Sequence, residues 1–367
     1  MYLEKINIVN FKNLVSISLN FCPNINCFTG LNGAGKTNII DAIHYLSLCK
    51  SSVGLSDLQC VNHGKDFFLL EGEYCFVDEK IENITCSYSR SKGKVLKRAN
   101  KEYQRLSEHI GLLPVVMISP SDVNLINDAS EERRRFINSF ISQIDKDYLS
   151  SLVRYNGLLA QRNKLLKDPY SINYEVLEVI DMQMASFSDF IYKRRKEFIK
   201  DITPIVNSYY REISSDDKDI EIDYKSALES QSAQELFASI IEKDKIMGYT
   251  TAGIHRDNID FKIDSYSIRK YGSQGQQKSF LIALKLAQFN IIANHKSFKP
   301  ILLLDDIFDK LDLERVEKLI NLVSEERFGQ IFITDANKVR VENILSNIKG
   351  EYLSYVIDKG QVLDKEY

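Results

Sequence analysis

The chain has 367 residues, 44% of them hydrophobic and 27% charged, with a formal net charge of -3. That length buries a sizeable core without disulfide or metal staples and allows one large domain carrying an insertion. No run of about 18 apolar residues occurs, which excludes a transmembrane helix, and the near-neutral balance excludes a general drive toward nucleic acid, so any DNA contact must come from local basic patches.

The opening residues MYLEKINIVNFKNL alternate like a strand and lack a basic stretch followed by an apolar run. No signal peptide is therefore expected, and the expected location is the cytoplasm. Residues 2 to 28 predict two or three short strands (YLEKINIV, LVSISLNF, NINCF), then a glycine-containing turn opening into a helix from Asn38 to Cys49. Ile39, Ile40, Ile43, Leu46 and Leu48 fit one face of that helix. Residues 67 to 89 alternate again and predict an antiparallel meander. The six cysteines, Cys22, Cys27, Cys49, Cys60, Cys75 and Cys86, show no C-x-x-C pair and no histidine at zinc-finger spacing, and read as small core hydrophobes.

Between Tyr88 and Arg105 lie Arg90, Lys92, Lys94, Lys97, Arg98, Lys101 and Arg105 against the single acid Glu102. Such a cluster neutralises phosphates, and Arg90, Lys92, Lys94, Lys97 and Arg98 are the candidate DNA contacts. Two long charged helices are predicted next, near 131 to 166 and 173 to 213, separated by a turn from Lys167 to Ser171. Each would span on the order of 50 to 60 Å at 1.5 Å per residue, forming an antiparallel arm. A second basic cluster, Lys193 to Lys196, sits on it. Strand patterning resumes at DIEIDY (219 to 224) and NIDFKID (258 to 264). A helix follows from Ser279 to Asn294, then an apolar strand from Ile301 to Leu304, a helix over 312 to 327 and a strand from Ile331 to Thr334.

Three motifs carry chemistry. Gly30, Leu31, Asn32, Gly33, Ala34, Gly35, Lys36 and Thr37 match G-x-x-x-x-G-K-[ST] between a strand and a helix. The glycines let backbone N–H groups curl around phosphate oxygens, Lys36 reaches the β and γ phosphates of ATP, Thr37 ligates Mg2+, and the helix start at Asn38 adds a favourable dipole. Ile301 to Asp306 is an apolar strand ending in two carboxylates, where a Walker B strand presents Asp305 to Mg2+ and Asp306 to the attacking water. The third motif, GSQGQQK from Gly272 to Lys278, immediately precedes a helix, so Ser273, Gly275 and Gln276 are placed to meet a γ-phosphate.

This third motif resembles the L-S-G-G-Q signature of ABC ATPases in the form typical of the RecF family, and Asp305 to Asp312 resembles Walker B plus D-loop. The resemblance covers nearly the whole chain. Asn10, Phe11, Lys12 and Asn13 resemble the family's N-F-R-N segment near the nucleotide; Leu113 to Asp122 its V-x-F-x-P-x-D-L stretch; Glu131 to Phe136 its R-R-x-F helix start; and Gly253 to Asp257 its G-P-H-R-D segment. Four positions depart from the pattern. Lys12 replaces an arginine and loses the planar fork. Asp306 stands where many ABC proteins have glutamate, as in the RecF family generally, and the shorter carboxylate implies slow turnover; Ile254 replaces a proline, and Thr334 with Asp335 occupies the place of the ABC switch histidine.

The resemblance implies an α/β fold: an ABC-type head with a mixed sheet, built from residues 1–122 and 251–367, with an inserted mainly helical lobe over 123–250. It implies a weak ATPase used as a switch, in which the signature of one copy caps ATP held by another, so that ATP drives a homodimer. It further implies binding at junctions of single- and double-stranded DNA, action with RecO and RecR, and assistance to RecA loading in DNA repair and replication. Alternatives from other classes are an SMC-like structural ATPase, against which the short arm speaks, and the ATP-binding subunit of a transporter, against which the missing switch histidine speaks. No membrane partner is expected.

Overall fold

The computed structural model describes residues 1–76, 80–168, 172–214, 216–308, 313–324, 328–346 and 351–366. Two compact units result: one comprises residues 1–122, 212–215 and 278–367, the other residues 123–211 and 216–277. Residues 251–277, expected in the head from the sequence, fall in the second unit, because their strands pair there and not with the head's sheets.

The first unit holds two six-stranded sheets. One is antiparallel and runs Leu14–Asn20, Tyr2–Phe11, Phe67–Cys75, Ile81–Ser89, Gly93–Arg98, Lys101–Glu102. Alternating burial along Phe67–Cys75 is the physical cause of the period-two pattern in its sequence. The other sheet runs Gln361–Glu366, Tyr352–Asp358, Ile25–Thr29, Ile331–Asp335, Ile301–Asp305, Val115–Ile118, with five parallel strands and an antiparallel edge. Its central strands are buried at every position, as continuous apolar runs require.

The helix Lys36–Leu48 touches strands of both sheets, and ten of its thirteen residues are buried. Its apolar residues therefore do not mark a single face. Each fully buried Ile or Leu there contributes about 1.5–3 kcal/mol. Cys27, Cys49, Cys60 and Cys86 are buried in this unit, and burial pushes the thiols of Cys49 and Cys60 up to about 11, in keeping with core packing.

In the second unit the predicted helix over 131–166 is two helices, Ser130–Ile144 and Lys146–Leu166, broken at Asp145. Asp145 caps the second by accepting the Tyr148 N–H at 2.9 Å. The helix Tyr174–Ser214 has 41 residues, or about 60 Å. Arg194 pairs with Asp145, Arg154 lies over the Phe187 ring, and Arg162 pairs with Asp181, so contacts descend one helix as they climb the other. That register makes the pair antiparallel. Of the turn between them, residues 169–171 lie outside the described residues. The strands Ile220–Lys225, Asn258–Ile263 and Tyr266–Ser267 form a separate antiparallel sheet. A helix the sequence reading missed, Ala233–Met247, begins with a capping box between Ser232 and Glu235. Among the described residues no helix is long and apolar enough to cross a membrane.

Candidate nucleotide-binding site

The phosphate loop leaves the strand Ile25–Thr29 and enters the helix Lys36–Leu48 through glycines at positive φ: +142° at Gly30, +81° at Gly33 and +115° at Gly35. L-residues with side chains rarely adopt such backbone. Gly30 is also constrained by space, since a Cβ there would lie 2.1 Å from the Ile357 carbonyl oxygen. No side chain caps the helix at Gly35 and no acid occupies its first turn, so its leading N–H groups are left for an anion. Lys36 folds back over its own loop and donates to the carbonyls of Gly30 at 2.7 Å and Leu31 at 3.0 Å. The loop is braced from outside: Asn13 donates to the Gly33 carbonyl at 3.2 Å, Asn38 donates to Asn13 at 2.7 Å, and Gly360 donates its N–H to the Ala34 carbonyl at 2.7 Å.

Parallel pairing of the strands Ile331–Asp335 and Ile301–Asp305 brings the second motif to the same end of the sheet. Thr37 donates to Asp305 Oδ1 at 2.9 Å and Thr334 donates to the same oxygen at 2.8 Å. The Thr334 hydroxyl in turn accepts the Asp306 N–H at 2.9 Å. Burial raises the Asp305 pKa, the hydrogen bonds from Thr334 and Thr37 offset part of this, and the nearby Asp306 adds to it. Asp306 holds φ +49°, and its Oδ1 is buried without a hydrogen-bond partner among the described residues. A buried orphan oxygen of that kind is costly and is expected to find its partner in a ligand or water.

A hydroxyl and one carboxylate oxygen suit Mg2+, which takes hard oxygen ligands and completes its shell with water and phosphates. No group of three or more His, Cys, Asp or Glu able to hold a metal occurs among the described residues, and this two-residue pattern needs none.

Sequence reasoning undervalued three residues here. Thr334, which the sequence marks only by its place at the switch position, ties the Asp305 carboxylate to the Asp306 backbone N–H. Asn13 stands in the N-F-K-N segment without a role of its own, and Asp41 belongs to no motif. Asp41 is completely buried and pairs with Lys12 at 2.7 Å, while accepting from Ser51 at 2.8 Å and from the Ser52 N–H at 2.5 Å. Burial opposes its charge, but Lys12 and His44 bring its pKa below the usual value. Lys12, expected to contact nucleotide, is thus engaged with Asp41, which its positive φ of 52° and the Cys60 carbonyl bound to its N–H help to orient.

The signature motif begins a helix, Gln274–His295, five residues earlier than expected, so Gly275 and Gln276 lie in its first turn. Ser273 and Gln276 form a reciprocal cap: the Ser273 N–H donates to Gln276 Oε1 at 2.9 Å, and the Gln276 N–H donates to Ser273 Oγ at 3.2 Å. Ser273 and Gln274 are exposed and Gly275 and Gln276 are partly exposed, so the turn is accessible. Further along, the same helix is anchored by Lys285, which donates to the Met117 carbonyl at 2.8 Å and pairs with Asp122 at 2.6 Å. Residues 309–312 of the expected D-loop lie outside the described residues.

Of the candidate DNA contacts, Arg90, Lys92 and Lys97 are exposed. Lys94 is instead tied to Asp57 at 2.9 Å and to the Cys49 carbonyl at 2.6 Å. Arg98 makes a two-pronged contact with Glu82, whose pKa it lowers to about 2. Both are engaged because the hairpin strand Gly93–Arg98 places them against neighbouring elements, which a one-dimensional charge count cannot reveal. In the second cluster, Arg195 is buried against Asp257 and Arg194 pairs with Asp145, leaving Lys193 and Lys196 exposed.

Residues 2–353 match the family model described as RecF/RecN/SMC N terminal domain. The DNA replication and repair protein RecF of Parabacteroides distasonis is 46% identical over 366 residues, covering 100% of both chains. The RecF protein of Bacteroides thetaiotaomicron is 44% identical over 362 residues, covering 99% of this chain and 98% of that one. A solved structure of the recombination mediator protein RecF-ATP in the RecFOR pathway matches with a TM-score of 0.90 at 30% identity, covering 100% of this chain and 98% of that one. The Smc head domain of Pyrococcus furiosus, with a TM-score of 0.57 at 15% identity over 98% of this chain and 95% of that one, shares the fold alone. On this combined evidence the chain belongs to the RecF family and has the α/β fold of ABC-type ATPase heads with a helical addition.

Proposed function

We propose that this chain is an ATP-dependent DNA-binding protein of recombinational repair and replication, in which ATP binding drives homodimerisation on DNA and slow hydrolysis causes release. The observation that carries the reading is the linked set Thr37, Asp305, Thr334 and Asp306 beside an uncapped glycine loop. The relatives' names and the RecF-ATP structure support it.

On this reading Lys36 leaves the carbonyls of Gly30 and Leu31 and donates to phosphate oxygens, while the loop N–H groups bind the same anion. Thr37 and Asp305 would hold Mg2+, which when bound would offset phosphate charge. Asp306 orients the attacking water and takes its proton, with its backbone held by Thr334. On this reading the catalytic residues are Asp306 and Lys36. Ser273, Gly275 and Gln276 offer a second helix start to the γ-phosphate of ATP bound in a twin copy, so attraction between copies falls when phosphate leaves. Joint action with RecO and RecR and support of RecA loading are part of the same proposal.

The deciding experiment measures binding to gapped DNA with ATP, with ADP and without nucleotide, alongside mass in solution. Tight binding by a dimer in ATP alone is expected. Nucleotide-independent mass and affinity would reject the switch.

A further inference from the structure

In the second unit a cleft of about 420 Å³ opens between residues of three helices and the segment Ile254, His255 and Arg256. That volume is within the usual range for small-ligand sites, roughly 300–1,000 Å³. Along the helix Ser130–Ile144 the lining residues Glu131, Arg134, Arg135 and Asn138 have the spacing of a single face, and Tyr155 and Asn156 line it from the facing helix Lys146–Leu166. Both the Glu131-to-Phe136 stretch and the Gly253-to-Asp257 stretch stand out in the sequence, yet neither takes part in the nucleotide site described above.

Four arginines line this cleft against one acid, Glu131. Two of them have carboxylate partners: Arg195 pairs with buried Asp257 at 3.1 Å, and Arg135 pairs with Glu131 and Glu132 at 2.5 and 2.6 Å. Arg134 has one hydrogen bond, from its NH1 to the Asp257 carbonyl at 2.5 Å, and no ion pair among the described residues. The Arg256 side chain has neither among the described residues and lies over the Tyr249 ring at 5.3 Å. Burial lowers the Arg134 pKa and the charge of Arg195 adds to this, so the cluster disfavours its own positive charge. His255 brings no compensation. Its ring contacts the Tyr155 hydroxyl at 2.7 Å and the Thr250 carbonyl at 3.2 Å, and burial lowers its pKa to about 4.

Like charges held together in a partly desolvated cleft are stabilised by an anion that bridges them, and planar guanidinium groups match phosphate oxygens two at a time. We propose that this cleft binds a phosphate group, with Arg134 and Arg256 as its direct ligands and the side-chain amides of Asn138 and Asn156 as neutral donors. Arg195 is a positioning residue: it donates to the Ile254 carbonyl at 2.8 Å and so fixes the segment that carries Arg256. The phosphate belongs either to a DNA backbone, which rests on the function proposed above, or to a free phosphorylated compound, which does not.

The test uses the full chain with Arg256→Glu and, as the conservative control, Arg256→Lys. Position 256 is exposed, so reversal there leaves the fold intact, and unchanged ATP binding verifies this. In one arm, affinity for a labelled DNA duplex is followed across a salt series. Arg256→Glu is expected to lose about tenfold in affinity and to lower the slope of log K against log salt by about 1, with Arg256→Lys close to wild type. In the other arm, stabilisation by inorganic phosphate and pyrophosphate is compared between wild type and Arg256→Glu, a difference that cancels binding at the loop around Lys36. Loss in the DNA arm assigns the group to DNA, and loss in the phosphate arm alone assigns it to a free compound. No change in either arm overturns the proposal. A wild type that binds no DNA in any nucleotide state rejects the proposed function while leaving the phosphate arm decisive for the cleft.

Discussion

Thr334 donates its hydroxyl proton to Asp305 Oδ1 at 2.8 Å, and its own hydroxyl oxygen accepts the Asp306 N–H at 2.9 Å. On the proposed reading, Thr334 thereby orients the side chain of the proposed cation ligand and the backbone of the proposed water-activating residue together. Thr334→Val keeps the shape and removes both bonds. Hydrolysis is expected to fall 10- to 100-fold, in the range typical when a partner orienting a metal ligand is lost. ATP affinity should change much less, so single-turnover hydrolysis and equilibrium binding measured side by side check the assignment.

Asp305 carries a raised pKa because it is buried. Its folded pKa exceeds its unfolded one, so its contribution is most favourable at low pH and is lost as pH rises through the folded value. Asp305→Asn removes that buried charge. The nucleotide-free variant is expected to melt no lower than wild type at neutral pH. With Mg2+ and ATP at 100 times Kd, wild type gains about 2.7 kcal/mol, and the variant should lose most of that increment in a thermal scan.

Lys12 and Asp41 form a buried pair, with side chains 10% and 0% exposed. Lys12→Ala leaves the carboxylate to Ser51 and Ser52 and is expected to cost about 3–5 kcal/mol. Asp41 has a lowered folded pKa, so the stability it contributes is full above its unfolded value near 3.9 and is lost as pH falls through the folded one. Denaturation in urea at neutral pH and near pH 3.5 should therefore show a gap between wild type and variant that narrows on the acid side. A gap independent of pH would sink this account.

The exposed Ser273 turn makes a separable prediction. Ser273→Arg gives up a helix cap worth about 1 kcal/mol and blocks approach of a second nucleotide. ATP binding to the monomer should persist while ATP-driven dimerisation disappears in sedimentation. Lys36→Ala should show the reverse order of loss, failing at ATP binding itself.

Charge reversal at Arg90, Lys92 and Lys97 is expected to weaken DNA binding and to reduce the salt slope by up to about 3. Arg98→Glu, by contrast, breaks the contact with Glu82 and should lower stability more than it alters DNA affinity. Equal salt slopes in wild type and the triple variant would remove this hairpin from the interface.

The linear chain by itself determined the elements whose chemistry is local. A glycine loop between an apolar strand and a helix, an apolar strand closing on two carboxylates, and a polar turn that starts a helix are each written in consecutive residues, because backbone conformation and burial along one element follow from that element's own pattern. Tertiary structure alone decided which charges are free. Lys12, Lys94, Arg98 and Arg195 look alike in a string of basic residues, yet each is neutralised by an acid distant in sequence or by a carbonyl that folding brings near. The same holds for Thr334, whose role depends on parallel pairing with the strand Ile301–Asp305, and for the arginine cleft, which needs three helices and a loop to meet. Ion pairing depends on distances of a few ångströms between residues far apart in the chain, and only the folded backbone sets those distances.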